Sequence, residues 1–175
     1  KSHQIVQDSL SILCRMNHRG ARGAEENTGD GAGVLTQIPH LFLIRECAKL
    51  DIFLPDPGEY AVGMLFLPTD EDKRAFCEQT LVKTIEEEGQ IFLGWRDVPT
   101  DNSSLGESAK RSQPFVRQIF VGKGEDIGDT AHFERKLFVI RRWAKEILTR
   151  ADKDLSEQFY AASFSSKTVV YKGML

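Results

Sequence analysis

Met16-Asn17-His18-Arg19-Gly20-Ala21-Arg22-Gly23-Ala24-Glu25-Glu26-Asn27-Thr28-Gly29-Asp30-Gly31-Ala32-Gly33 sets five glycines behind a His-Arg pair in a single connection. Ordered glycine loses more conformational entropy than any other residue, so this concentration gives the backbone itself a task, either unusual dihedrals or close approach of a partner. Upstream, Ile5, Val6, Leu10, Ile12, Leu13 and Met16 fall on one arc of roughly 160°, which predicts an amphipathic helix over 5–16 with its apolar face packed. Gly20 is expected to end that helix as a left-handed cap, delivering His18 and Arg19 to the loop. Within the loop, Gly29 and Gly31 are expected to take positive φ in a tight turn, with Asp30 bonding nearby amides.

Downstream of the run, 34–38 reads as a short strand and 39–50 as a helix with Pro39 in its first turn. Pro55-Asp56-Pro57-Gly58 breaks the chain. A strand over 60–67, a helix over 70–88 and a strand over 90–95 follow, then a polar stretch over 100–113. The order repeats with a strand over 115–121, a helix over 133–150 and a strand over 159–163. Strand-helix-strand twice over is the order of a ferredoxin-like split unit. In the first helix Thr69 and Asp72 suggest a capping pair, and Cys77, Leu81 and Ile85 stack at i+4 as core. In the second, Phe133, Leu137, Ile140, Trp143, Ala144, Ile147 and Leu148 share a face, with Lys145 away from it. Residues 168–172 are expected to pair with 159–163 as a hairpin across Ser165-Ser166-Lys167.

Composition excludes several classes. The 175 residues are 41% hydrophobic and 28% charged, those of an ordinary globular domain. No apolar run approaches the ~18 residues of a membrane-spanning helix. A formal charge of −3, with both signs interleaved, creates no positive field for nucleic acid. Cys14, Cys47 and Cys77 are odd in number and lack any Cys-x-x-Cys pair, which argues against a disulfide framework and a zinc site and fits a reducing compartment. His3, His18, His40 and His132 lack metal-ligand spacing, no Gly-x-Ser-x-Gly turn occurs, and no Gly-Lys-Ser/Thr follows the glycines to make a phosphate cradle. The chain opens on Lys1 without an initiator Met and reads as an excerpt of a longer protein.

Asn17-His18-Arg19-Gly20-Ala21 followed by Glu26-Asn27-Thr28-Gly29-Asp30-Gly31-Ala32-Gly33 resembles the opening of the glutamine amidotransferase domain of the glutamate synthase family, a class II amidotransferase among the N-terminal-nucleophile hydrolases. Ile38-Pro39-His40-Leu41-Phe42, Gly94-Trp95-Arg96 with Val98-Pro99, Asp101-Asn102-Ser103-Ser104-Leu105-Gly106, Phe133-Glu134-Arg135-Lys136-Leu137 and Thr168-Val169-Val170-Tyr171-Lys172-Gly173 resemble it in the same order. The resemblance implies an α+β fold, a partial four-layer αββα core interrupted by the ferredoxin-like unit. Residues 1–55 would supply core helix, glycine loop, strand and helix, residues 56–165 the insertion and return strand, and residues 166–175 a core strand.

The resemblance also implies chemistry. A cysteine at the mature N-terminus attacks the side-chain amide of glutamine while its own α-amine handles the proton. None of the three cysteines here is first in the chain, so the nucleophile is expected upstream. The family's oxyanion-hole Asn-Gly pair and carboxylate-clamping arginine have no match and are expected beyond the last strand, so the excerpt alone is expected to be inactive. Arg19 and Gly20 are expected to support the site, Arg19 by holding the nucleophile's backbone with its planar donors. On pattern alone, Arg19 would equally serve as a cap at the helix's negative end. His18 is read as structural. Thr28, Gly29, Asp30 and Gly31 are expected to form the loop against the glutamine pocket. In the parent, ammonia would pass to another domain and add to 2-oxoglutarate on flavin mononucleotide (FMN), with an iron–sulfur cluster and electrons from ferredoxin or a NAD(P)H-oxidising subunit. This chain has no ligands for those cofactors. The setting implied is cytoplasmic, or the plastid stroma in a photosynthetic eukaryote. The rival reading is a non-catalytic regulatory or ligand-binding module, which the repeated strand-helix-strand order would also allow.

Overall fold

The computed structural model describes residues 3–21, 25, 28, 29 and 31–174, and divides them between two compact units. The larger unit comprises Thr36–Pro99 and Pro114–Val169, and the smaller Lys1–Leu35, Thr100–Gln113 and Val170–Leu175. The sheets are antiparallel wherever a strand register is defined, and the whole is a mixed α/β fold.

In the larger unit, β2 (Tyr60–Leu67), α3 (Glu71–Glu87), β3 (Ile91–Asp97), β4 (Phe115–Gly122), α5 (Thr130–Ala151), α6 (Lys153–Gln158) and β5 (Tyr160–Ser165) follow in chain order. The four strands form one sheet in the order β3-β4-β2-β5. The two central strands pair along their whole length, from Tyr60↔Gly122 to Leu67↔Phe115. Because side chains alternate across a strand, Ala61, Leu65 and Leu67 share a face. They pack with Cys77, Leu81 and Ile85 of α3 and with Phe133, Leu137, Ile140, Ala144 and Leu148 of α5. The opposite face presents Tyr60, whose hydroxyl lies 3.0 Å from His40 Nδ1 on α2 (His40–Ala48).

Local chemistry sets the helix ends. Asp70, not Thr69, is the N-cap of α3, its carboxylate accepting from the Lys73 amide. Asp129 caps α5 by accepting from the His132 amide, and Asp152 caps α6 by accepting from Asp154 and Leu155. Trp143 does not join the buried face of α5. It is 41% exposed, and Arg150 stacks over its ring at 5.4 Å. Lys145 turns inward instead, donating to the carbonyls of Ser156 and Phe159, and burial lowers its pKa.

The expected hairpin at the end of the chain does not form. β5 pairs with β2, while β6 (Thr168–Met174) pairs with β1 (Gly31–Gln37) in a separate two-stranded sheet. The change of sheet occurs at Ser165-Ser166, where one carboxylate oxygen of Glu134 accepts from the Ser165 hydroxyl, the Ser166 amide and the Ser166 hydroxyl. A charged acceptor holding three donors fixes a turn that the sequence alone reads as a simple reversal.

In the smaller unit, α1 (His3–Arg15) has the expected amphipathic arc but not the expected packing. No residue of α1 is buried, and Ile5, Leu10 and Ile12 are each more than half exposed. Periodicity specifies the stripe; it does not specify what covers it. A single 3-10 turn over Asn17–Arg19 follows α1.

The burial contrast along α5 gives a direct test by denaturant unfolding. Leu137→Ala should destabilise the protein by about 2–5 kcal/mol, and Trp143→Ala, one step off the buried face, by less than about 1 kcal/mol.

Candidate functional site

The glycine-rich run begins where α1 gives way to the 3-10 turn. The Arg19 amide donates to the Met16 carbonyl at 2.8 Å, and the Gly20 amide to Asn17 at 3.2 Å. Gly20 sits at φ −83°, ψ 149°, so the expected left-handed cap is replaced by extended backbone, and the 3-10 turn has already consumed the carbonyls such a cap would serve. His18 Nδ1 donates to the Arg15 carbonyl at 3.0 Å, closing the end of the helix. The Arg19 side chain is exposed, and among the described residues its guanidinium has no hydrogen-bond or ion-pair partner. Arg19 and Gly20 thus sit together on one short turn, the five donors of Arg19 uncommitted among the described residues.

Gly31 does not sit in a tight turn. It opens β1, and the reason for glycine there is close approach: an added Cβ would stand 3.0 Å from the Gly173 carbonyl oxygen on β6. Two residues on, a Cβ at Gly33 would meet Lys172 Cβ at 2.9 Å and the Tyr171 carbonyl at 3.0 Å. Gly31 and Gly33, on the same side of β1 as Leu35 and Gln37, therefore leave room at that end of the strand for β6 to lie close beside it. Gly29 is half-buried and makes an isolated bridge just before the strand. Asp30, expected in the glutamine-pocket loop, lies outside the described residues.

Thr28 is the other expected loop residue, and it carries the most informative contact. Its hydroxyl donates to Glu25 Oε2 at 2.9 Å. The same oxygen accepts from the Ser108 hydroxyl at 2.7 Å and the Ser108 amide at 3.2 Å. Ser108 belongs to α4 (Glu107–Ser112), a short helix within the stretch read from sequence as merely polar. The bonds to the Ser108 hydroxyl and amide and to Thr28 hold the Glu25 carboxyl below its ordinary value of 4.5. Glu25 escapes sequence reading because Ser108 lies 83 residues away and no local spacing announces it.

The cysteines are arranged differently. Cys14 is exposed on α1, whereas Cys47 and Cys77 are buried and burial pushes each thiol up to about 11. A thiol in such surroundings stays protonated at neutral pH and is a poor nucleophile. Among the described residues, no group of three His, Cys, Asp or Glu gathers to hold a metal ion, and no helix is long and apolar enough to cross a membrane.

Because the Glu25 carboxyl is lowered by its partners, the charged form is the one the fold favours. The contact is fully present above the ordinary glutamate value of 4.5 and is lost as pH falls through the lower folded value. Protection of the Ser108 amide against hydrogen exchange should therefore hold from pH 7 to pH 5 and collapse only in stronger acid.

The family model described as "Glutamine amidotransferases class-II" matches residues 1–175. The chain is 45% identical over 175 residues to the large chain of the NADPH glutamate synthase of Bacillus subtilis, covering 100% of this chain and 11% of that protein. It is 38% identical over 179 residues to the NADH glutamate synthase of Schizosaccharomyces pombe, with 99% of this chain and 8% of the relative covered. It is 37% identical over 176 residues to the chloroplastic ferredoxin-dependent glutamate synthase 2 of Arabidopsis thaliana, with 99% and 10% covered. The chain thus spans about a tenth of the length of the curated relatives it matches.

Proposed function

The chain belongs to the class-II glutamine amidotransferases, and from that premise we propose that it is part of the glutaminase domain of a glutamate synthase, releasing ammonia from glutamine for transfer to 2-oxoglutarate. The observation that carries this reading is the match along the whole chain to relatives that differ in electron donor but share the printed name glutamate synthase.

In this reading Arg19 and Gly20 stand beside the reacting cysteine, and Thr28 to Gly31 border the glutamine pocket. The exposed guanidinium on the 3-10 turn suits that place, since a planar fork of donors can fix backbone carbonyls in one geometry. The attacking thiol is assigned to a residue outside this chain. Cys14, Cys47 and Cys77 are internal and carry no α-amine, and the two buried ones are held protonated. The donors for the developing oxyanion and the clamp for the substrate carboxylate are assigned outside it as well.

The strand order β3-β4-β2-β5, reached through two strand-helix-strand passages, supports reading 56–165 as a ferredoxin-like unit inserted into an αββα core. Residues 1–55 and 166–175 would then belong to that core. FMN and an iron–sulfur cluster belong to other domains in this account. Each cysteine here stands alone, two of them sealed in the interior, and that donor set does not fit a cluster. Ferredoxin or a NAD(P)H-oxidising partner would act through those domains too, in the cytoplasm or a plastid stroma.

The test is ammonia release from glutamine by the purified full-length protein. Arg19→Ala should lower kcat/KM for glutamine by about tenfold or more, while Cys14→Ala should leave it within about twofold. A glutamine-like electrophile should label a thiol that is none of Cys14, Cys47 and Cys77. A folded, correctly processed full-length protein that releases no ammonia would favour the regulatory-module reading.

A further inference from the structure

We propose that Glu25 is a positioning residue for glutamine hydrolysis, latching the glycine-rich run at Thr28 to the 100–113 segment at Ser108 through space left open by Gly106. This deepens the glutaminase reading and rests on it.

The geometry is specific. Glu25 Oε2 accepts from three donors, the Thr28 hydroxyl at 2.9 Å, the Ser108 hydroxyl at 2.7 Å and the Ser108 amide at 3.2 Å, and Oε1 lies 3.3 Å from that amide. A Cβ added to Gly106 would stand 2.2 Å from Glu25 Oε2 and 2.4 Å from Thr28 Oγ1. A side chain at position 106 would therefore push the Glu25 carboxylate and the Thr28 hydroxyl off their present positions. Charge-assisted bonds are the strong ones, and here they converge from two segments 83 residues apart. Arg111, in the same helix as Ser108, adds a favourable charge.

Thr28 makes this contact more than a helix cap. A carboxylate serving only α4 would need Ser108 alone, whereas Glu25 also holds the hydroxyl of a residue assigned to the glutamine pocket. Misplacing a substrate-facing loop by about 1 Å can cost as much as a hundredfold in rate without touching the reacting atoms.

The experiment uses the full-length protein and two readouts, glutamine-dependent and ammonia-dependent glutamate formation. Glu25→Ala should lower kcat/KM for glutamine by about tenfold or more and leave the ammonia-dependent rate within about twofold. Glu25→Gln keeps an acceptor oxygen and should recover most of the loss. Gly106→Ala, which invades the same space from the other side, should reproduce the defect of Glu25→Ala. Unchanged kcat/KM in Glu25→Ala would overturn the proposal. So would an equal fall in both activities with no recovery in Glu25→Gln, the pattern of a fold defect. If the unsubstituted protein releases no ammonia from glutamine, the glutaminase reading is what fails; if it does and only the variants stay normal, the latch fails alone.

Discussion

The full-length antiparallel pairing of β2 with β4 is the constraint to which the larger unit is referred. Its register, unbroken from Tyr60↔Gly122 to Leu67↔Phe115, fixes which face each residue of both strands presents. A slip by one residue would turn Ala61, Leu65, Ile119 and Val121 away from the two helices that cover them. The outer strands are less regular, since β3 shifts register between Phe92 and Gly94 and β5 pairs with β2 across a shift at Met64/Leu65. Irregularity is thus confined to the edges of the sheet, where a bulge costs little.

Charged side chains inside this unit are paired in a way that binds elements together. Arg96, only 7% exposed, donates to Gln118 on β4 and to Glu46 on α2 and lies near the Phe42 ring. Arg117 joins Asp97 on β3 to Glu78 on α3 while stacking near Trp95. Each guanidinium spends its donors on two different elements, a use to which a lysine's single ammonium is less suited. By contrast the helix-surface pairs, such as Lys83 with Glu87 and Arg150 with Glu146, are exposed and contribute little.

The sequence was most legible where one signal acts locally. Strand and helix order through the larger unit, the core role of Cys77 and the apolar face of α5 all follow from periodicity. Legibility failed where solvent or a specific partner, and not spacing, decides the outcome. Trp143 lies close enough in angle to the buried face for periodicity to include it, but solvent and Arg150 take it. The turn at Ser165-Ser166 is set by Glu134, and α4 is capped by a glutamate from the glycine run, neither visible in a local window. Of the glycines in the run, Gly31 and Gly33 show a backbone requirement, and it is contact with β6 instead of a turn. Membership of a family was readable because it rests on several motifs in order, while the roles of Arg19, Gly20 and Thr28 to Gly31 remain assignments by position.

The pairing of β1 with β6 has a consequence for biosynthesis. β1 leaves the ribosome long before β6, and everything from α2 to β5 is made in the interval. During that wait the edge of β1 that β6 will occupy stays open, the kind of segment that invites pairing with another nascent chain. Gly31 and Gly33 make it a poor partner, because glycine weakens strand propensity and offers nothing for a neighbour to pack upon. The residues that let β6 approach closely in the finished protein therefore also keep its partner strand quiet until β6 has been synthesised.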